Sequence, residues 1–371
     1  MHSIRWISKP ADWAAQAKAW DAMAAKSPCQ RFSWLYRWWQ SFGKGRQLAV
    51  GVLEDASGRW VAALPCFGEI RGSHGMTLRL LGSGSACSDF VGLLARPGWE
   101  SRAAQAFADD LLQRHAGLHR SWQLIDWDGV SGQDDVTLEL IRLLGAAGCR
   151  LRESGCVSTW RLPLKSTFEE QIAACGQGTR RKLKRIRKRL LETSEISLRS
   201  AETPEQAAQG LEILVDLHQR RRTQLGEPGC FHETHFRQFF LNAARDLFEA
   251  GAWKVDWVER KGTPIAAEAG FFQDDTFFMY QSGFSPEHQE LEPGWIIKVG
   301  MLLTGIEQGW SAIDYMRGDE RYKKDLRAEP TRCLRFRISN VTLSSRTRFA
   351  ALGLALDAKS LWQNGFGAVT Q

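Results

Sequence analysis

Short apolar runs separated by glycine-bearing turns recur at two places in the chain, and they are the clearest structural signal it carries. Leu48–Glu54 (LAVGVLE) and Trp60–Phe67 (WVAALPCF) flank a turn containing Gly58; Trp253–Glu259 (WKVDWVE) and Pro264–Phe272 (PIAAEAGFF) flank one containing Gly262. Apolar, β-branched and aromatic residues on either side of a glycine turn predict hairpins. A third strand follows each, Thr77–Leu81 and Thr276–Ser282. Glu54 matches Glu259 at an offset of 205, and Val61-Ala62-Ala63 matches Ile265-Ala266-Ala267 at 204, so the two turns differ by one residue. Two similar halves, each around a three-stranded antiparallel meander, predict a duplicated fold.

The flanking pattern extends the match. In the second half a strand, Ile196–Ser200, precedes amphipathic helices over Pro204–Leu225 and Thr234–Ala250, the latter closed by Gly251. After the meander come a helix over Pro293–Gln308, a strand at Ser311–Met316, a helical stretch at Glu320–Leu326 and a strand at Thr331–Ile338. The first half reads Ile4–Ile7, helices over Ala11–Ala25 and Phe32–Phe42, the meander, and a helix over Trp99–His115. Strand Trp122–Trp127, helix Asp135–Ala147 and strand Cys149–Ser154 continuing into Val157–Leu162 complete it. A helical stretch, Thr167–Thr193, joins the halves. The expected division is 1–165, then 166–340 with a basic helix at 178–193, then a helical tail over 341–371.

Composition narrows the class. The chain has 371 residues, 43% hydrophobic and 25% charged, which excludes a largely disordered protein. No apolar run approaches the ~20 residues of a membrane span, and the first residues lack a secretory pattern, so a cytoplasmic location is expected. The net charge is +7, and eight of the ten residues Arg180–Arg189 are basic. Such a local field favours an anionic partner: a nucleotide, tRNA or an anionic membrane surface. Eight cysteines without C-x-x-C spacing predict reduced thiols, and sixteen tryptophans predict an aromatic core. His232 and His235 lie three apart without a third ligand, so no metal is expected.

The stretches G-T-R-R-K-L-K-R-I-R-K-R-L (178–190), G-T-P-I-A-A-E-A-G-F-F (262–272), M-Y-Q-S-G-F-S-P-E (279–287), E-P-G-W-I-I (292–297) and D-Y-M-R-G-D-E-R-Y-K-K-D-L (314–326) follow one another on these elements. With the repeated element order they make the chain resemble the GNAT acyltransferase fold. The second half is similar to the CelD/BcsL-type acetyltransferases, associated with cellulose and exopolysaccharide synthesis and related to the double-domain FemAB/FemX peptidyltransferases. The resemblance implies an α/β (α+β) protein of tandem GNAT-like domains, each a mixed, mostly antiparallel sheet flanked by helices. It also implies an acyltransferase using acetyl-CoA as co-substrate and a sugar-containing or nucleotide-linked acceptor. A Fem-like transferase drawing on aminoacyl-tRNA, or a non-catalytic accessory of polysaccharide synthesis, are the other readings.

Acyl transfer needs a phosphate cradle, a slot for the donor arm, a group polarising the carbonyl, and a route for the acceptor's proton. In the GNAT fold the cradle is the N-terminus of the helix after the meander, here Gly294, Trp295 and Ile296 behind Pro293. The usual glycine pattern is interrupted by Leu291, Glu292 and Pro293, and Glu292 would repel a phosphate. The basic run offers a second anion site through Arg180, Arg181 and Lys184, with Leu183, Ile186 and Leu190 as the buried stripe. Lys323, after Tyr322, matches the position that in FemX-like enzymes contacts the acceptor and the developing charge; its alternative is an ion pair with Asp319 or Glu320. Glu268 and Asp314 are candidate bases, and Tyr280 and Gln281 are candidates to line the acceptor groove or serve as a general acid.

Overall fold

The computed structural model describes residues 4–24, 27–113 and 121–366; the expected helix ends at Ala25 and His115 and the tail's last residues lie outside them. The strands are β1 (Ile4–Ile7), β2 (Gln47–Glu54), β3 (Trp60–Arg71), β4 (Gly75–Leu80), β5 (Leu94–Ala95), β6 (Leu124–Ser131), β7 (Arg150–Pro163), β8 (Ile196–Ser200), β9 (Trp253–Arg260), β10 (Thr263–Gln273), β11 (Thr276–Phe284), β12 (Ala312–Arg317) and β13 (Glu329–Ser339). The helices are α1 (Pro10–Ala14), α2 (Ala17–Asp21), α3 (Phe32–Phe42), α4 (Glu100–Leu112), α5 (Asp135–Ala146), α6 (Phe168–Ala173), α7 (Gln177–Glu192), α8 (Pro204–Gln224), α9 (Thr234–Glu249), α10 (Pro293–Glu307), α11 (Arg321–Asp325) and α12 (Leu343–Phe366). No helix among the described residues is long and apolar enough to cross a membrane.

Both meanders form as the glycine turns predict, and each is followed by a short parallel pairing, β4 with β6 and β11 with β12. The expected helix over Ala11–Ala25 is instead α1 and α2, because the chain bends at Gln16 and turns both Trp13 and Trp20 into the core, their rings 5.3 Å apart. The two segments expected at Cys149–Leu162 are one continuous strand, β7.

The strand order is β1-β2-β3-β4-β6-β13-β7-β12-β11-β10-β9-β8, with β5 beside β3. The two halves therefore exchange their last strands. β13 of the second half pairs antiparallel with β6 of the first, β7 of the first with β12 of the second, and β7 and β13 pair with each other over Glu329–Ser339. The exchange fuses two meander sheets into one and removes an exposed edge from each. Helices α3 and α9 seal the halves on one face through Trp34, whose ring lies 4.6 Å from Phe239 and 4.8 Å from Phe271. On the other face α10 packs Ile296, Ile297, Val299 and Leu302 over β9 and β10.

A chain ending at Arg327 lacks β13 and leaves β6 and β7 without their shared neighbour. Loss of cooperative thermal unfolding is expected, followed by far-UV circular dichroism and gel filtration against the full chain.

Candidate functional site

The site begins with a separation of two strands. β11 pairs with β12 only over Thr276–Phe278 against Ala312–Asp314; from Met279 onward the strands diverge and open a slot. Two local features enforce the divergence. In β11 the register slips between Ala269/Gln281 and Gly270/Met279, leaving Tyr280 as a bulge residue. Gly270 is obligatory there, since a Cβ would stand 1.9 Å from the Phe278 carbonyl oxygen. In β12 the Asp314 carboxylate accepts the Met316 N–H at 2.7 Å, and Met316 adopts φ 49°, a left-handed conformation costly for a long side chain.

The slot opens into a cavity of about 1030 Å³ floored by Met279–Phe284 and walled by α8, the N-terminus of α10 and the end of β12. The first half contributes Ser85, Cys87 and Asp89. Asp89 accepts from the Arg317 N–H at 3.0 Å and from its guanidinium at 2.7 Å, tying the halves together at the cavity wall. Burial pushes the Asp89 carboxyl up, with Arg317 opposing it. Cys87, Phe90, Met316 and Glu292, around the same region, all have positive φ.

α8 starts with a capping box, Thr203 and Gln206, behind Pro204. Its close approach to β11 requires Gly283, where a Cβ would lie 2.6 Å from the backbone nitrogen of His218 and 2.9 Å from the backbone oxygen of Leu214. That contact places His218 and Arg221 on the cavity. The Arg221 guanidinium sits 4.1 Å above the Phe284 ring, and no carboxylate pairs with it among the described residues. Burial lowers its pKa, with Arg222 adding to the effect.

Sequence-expected residues fall into three groups. Gly294, Trp295, Tyr280, Gln281 and Lys323 line the cavity. Ile296 is fully buried beneath it, in the core under α10. Glu268 and Asp314 do not reach it. The Glu268 carboxylate accepts from Lys298 Nζ at 2.9 Å in a buried pair, and it is Lys298 that borders the cavity. Asp314 lines a separate cavity with Thr159, Arg161 and Phe278.

Two of the lining residues are already engaged. Tyr280 Oη donates to the Ala86 carbonyl at 2.7 Å, its ring packed near Trp34 and Phe240, and burial raises its pKa well above the phenol range. Lys323 is 1% exposed; its ammonium donates to the carbonyls of Met316, Arg317 and Gly318 at 3.3, 3.2 and 2.9 Å and pairs with Glu320 at 2.9 Å. Burial lowers its pKa, with Glu320 opposing. Lys323 thus fastens the end of β12 rather than extending a free cation into the cavity.

α7 buries Leu183 and Ile186 as its pattern requires, but the cations facing the cradle differ from those expected. Arg180 donates to the Ala173 and Cys175 carbonyls, Lys184 pairs with Glu169 at 2.9 Å, and Arg181 points to solvent. Facing α10 are Lys182, Arg185 and Arg189, one stripe at helical spacing. Lys182 and Arg185 both bind the Glu292 carboxylate, the former at 2.9 Å, and Arg189 donates to the Leu291 carbonyl at 3.1 Å. Lys182 also lies 4.9 Å over the Trp295 ring. Glu292 is the N-cap of α10 and its side chain accepts no hydrogen bond from the helix amides, so the chain's own carboxylate meets the α7 cations beside the helix start. The amides of Trp295 and Ile296 are spent on the Glu292 carbonyl, leaving that of Gly294.

Residues 177–324 match the acetyltransferase (GNAT) domain family. The segment runs from α7 to α11 and includes the strand divergence, α8 and the start of α10. No curated protein matches the chain in sequence. Among solved structures it is similar to FemX, at 12% identity and TM-score 0.63, covering 89% of this chain and 97% of that one. It is also similar to the C-terminal domain of a putative lysylphosphatidylglycerol synthetase from Agrobacterium fabrum, at 13% identity and TM-score 0.55, covering 95% of this chain and 98% of that one. A tandem GNAT protein from the clavulanic acid biosynthesis pathway aligns at 13% identity and TM-score 0.50, covering 90% and 98%. The fold is thus GNAT-like across both halves.

Sequence reading did not single out His218, Cys230, Arg221 or Asp89 as chemistry. None belongs to a local motif; only the approach of α8 and the first half brings them to one cavity.

The Asp314 carboxyl has its pKa raised by burial from 3.8 to about 7. The folded chain retains a proton there that the unfolded chain releases, so this group's contribution to stability declines as pH rises from about 4 to about 7. Asp314→Asn should remove that decline, on the order of 2–4 kcal/mol, as measured by denaturant titration across the range.

Proposed function

We propose that the protein is an acyltransferase that holds an activated acyl donor in the slot between β11 and β12 and passes the acyl group to an amine or hydroxyl acceptor entering the same cavity. The divergence of β11 from β12 above an open cavity carries this reading. It leaves backbone groups of β11 free to pair with an extended ligand arm, as an edge strand does. Arg221, unmatched by a carboxylate among the described residues, supplies a cation for a phosphate-bearing handle. The match of residues 177–324 to an acetyltransferase domain supports acetyl-CoA as the donor.

Glu292 favours a second donor. Its carboxylate holds two cations that a coenzyme pyrophosphate would use, which supports an acyl group delivered by aminoacyl-tRNA, whose phosphates need not enter that cradle. The likeness to FemX is one of fold and is compatible with this alternative. A sugar-containing or nucleotide-linked acceptor, with a role in polysaccharide synthesis, is part of the proposal from sequence resemblance.

Titration calorimetry separates the donors. Acetyl-CoA binding by the wild type, strengthened about tenfold in Glu292→Gln (~1.4 kcal/mol), is the expected result for a coenzyme user. Binding of aminoacyl-tRNA alone, unchanged by Glu292→Gln, assigns the second donor; binding of neither overturns the acyltransferase.

A further inference from the structure

On the α8 side of the cavity lies a group of side chains that the donor slot does not use. Pro228-Gly229 turns the chain back after α8, and Cys230 opens a short 3-10 helix facing the slot. Its Sγ lies 3.7 Å from His218 Nε2 and 3.7 Å from Gln281 Nε2. Cys230, His218 and Gln281 all border the cavity.

The orientation of the imidazole follows from its other neighbour. Gln219 Nε2 is 3.0 Å from the Pro228 carbonyl oxygen, which can only accept, so that atom is the amide nitrogen. Gln219 Oε1 is therefore the atom 3.3 Å from His218 Nδ1. An oxygen there accepts, so Nδ1 carries the proton and Nε2 presents its lone pair to the Cys230 thiol. Gly229 makes room for this amide: at φ 69°, a Cβ would stand 2.3 Å from Gln219 Oε1. The set is nucleophile, base and orienting amide, the arrangement by which a weak nucleophile is activated.

We propose that Cys230 is a nucleophile that takes the acyl group as a thioester, with His218 as its proton acceptor, before the group passes to the acceptor. The proposal rests on the acyl-transfer reading above. As Sγ forms its bond to the donor carbonyl carbon, Nε2 takes the thiol proton and the carbonyl π pair moves to oxygen. That pair returns as the bond to the leaving group breaks, and the leaving group takes the proton from His218. An acceptor amine then attacks the Cys230 thioester and gives its proton to His218. His218 returns that proton to the departing sulfur, so thiol and imidazole end as they began. Gln281 Nε2 lies where it can donate to the sulfur or to the oxygen that develops negative charge. The resting ionisation works against the transfer, so the proton must move as the carbon–sulfur bond forms. Burial lowers the His218 pKa and keeps the ring neutral, and it pushes the thiol up to about 12, so Cys230 needs a base at the moment of attack.

The test treats the full chain with p-nitrophenyl acetate and, separately, with acetyl-CoA, and maps adducts by peptide mass spectrometry, which separates Cys230 from Cys87. A burst of about one p-nitrophenolate per chain and a hydroxylamine-sensitive acetyl group on Cys230 are expected. His218→Asn should slow labelling by ~10²-fold or more. Cys230→Ser, nearly isosteric, should lose the hydroxylamine-sensitive adduct while unfolding at the wild-type temperature. An adduct absent from Cys230, or formed at the same rate in His218→Asn, overturns the proposal. Acyl transfer by Cys230→Ala at the wild-type rate also overturns it and leaves the acyltransferase standing. Cys230 labelling in a protein that binds neither acetyl-CoA nor aminoacyl-tRNA supports the nucleophile and removes the donor reading instead.

Discussion

The pairing of β7 with β13 is the constraint on which the rest of the molecule depends. Each is the last strand of its half, each lies against the penultimate strand of the other half, and together they form the centre of one sheet. The strand order fixes β12 relative to β7, and β12 in turn fixes how far β11 can diverge. The slot is therefore held open by a sheet centred on the joint between the two halves. Arg317 and Asp89 extend the same dependence to the cavity wall, where a half-buried cation from one half meets a buried carboxylate from the other. Removing Arg317 would leave the Asp89 carboxylate buried without its cation, whereas removing Asp89 would leave Arg317 with Asp128.

Much of this architecture was readable from the residues. The meanders announced themselves through glycine turns, β8 and α3 have the bounds that the sequence predicts, and α10 begins at Pro293. These features are local: a turn residue, an apolar period or a helix-starting proline sets them within a few positions. The GNAT-like character of both halves was legible because element order survives divergence that erases individual side chains.

What could not be read depends on contacts across long sequence separations. The strand exchange joins residues nearly two hundred positions apart, as Ser339 and Arg150 show, and no period in the sequence reports it. The apolar stripe of α7 was readable, but which cations meet α10 depends on how that stripe is rotated against α10, and it selects Lys182 and Arg185. Glu268 looked like a lone carboxylate among alanines because Lys298 lies thirty residues away on another element. His218 and Cys230 form a pair only because Gly283 lets α8 lie close to β11, and nothing in an H-x₁₁-C spacing signals that.

The exchanged strands also bear on how the two halves could diverge. Ordinarily a duplicated domain without a task of its own is free to drift or be deleted. Here each half completes the other's β-sheet, and the first supplies Asp89 and the Ala86 carbonyl to the cavity of the second. Its retention needs no chemistry of its own: evolution can erode its pocket but cannot discard its scaffold.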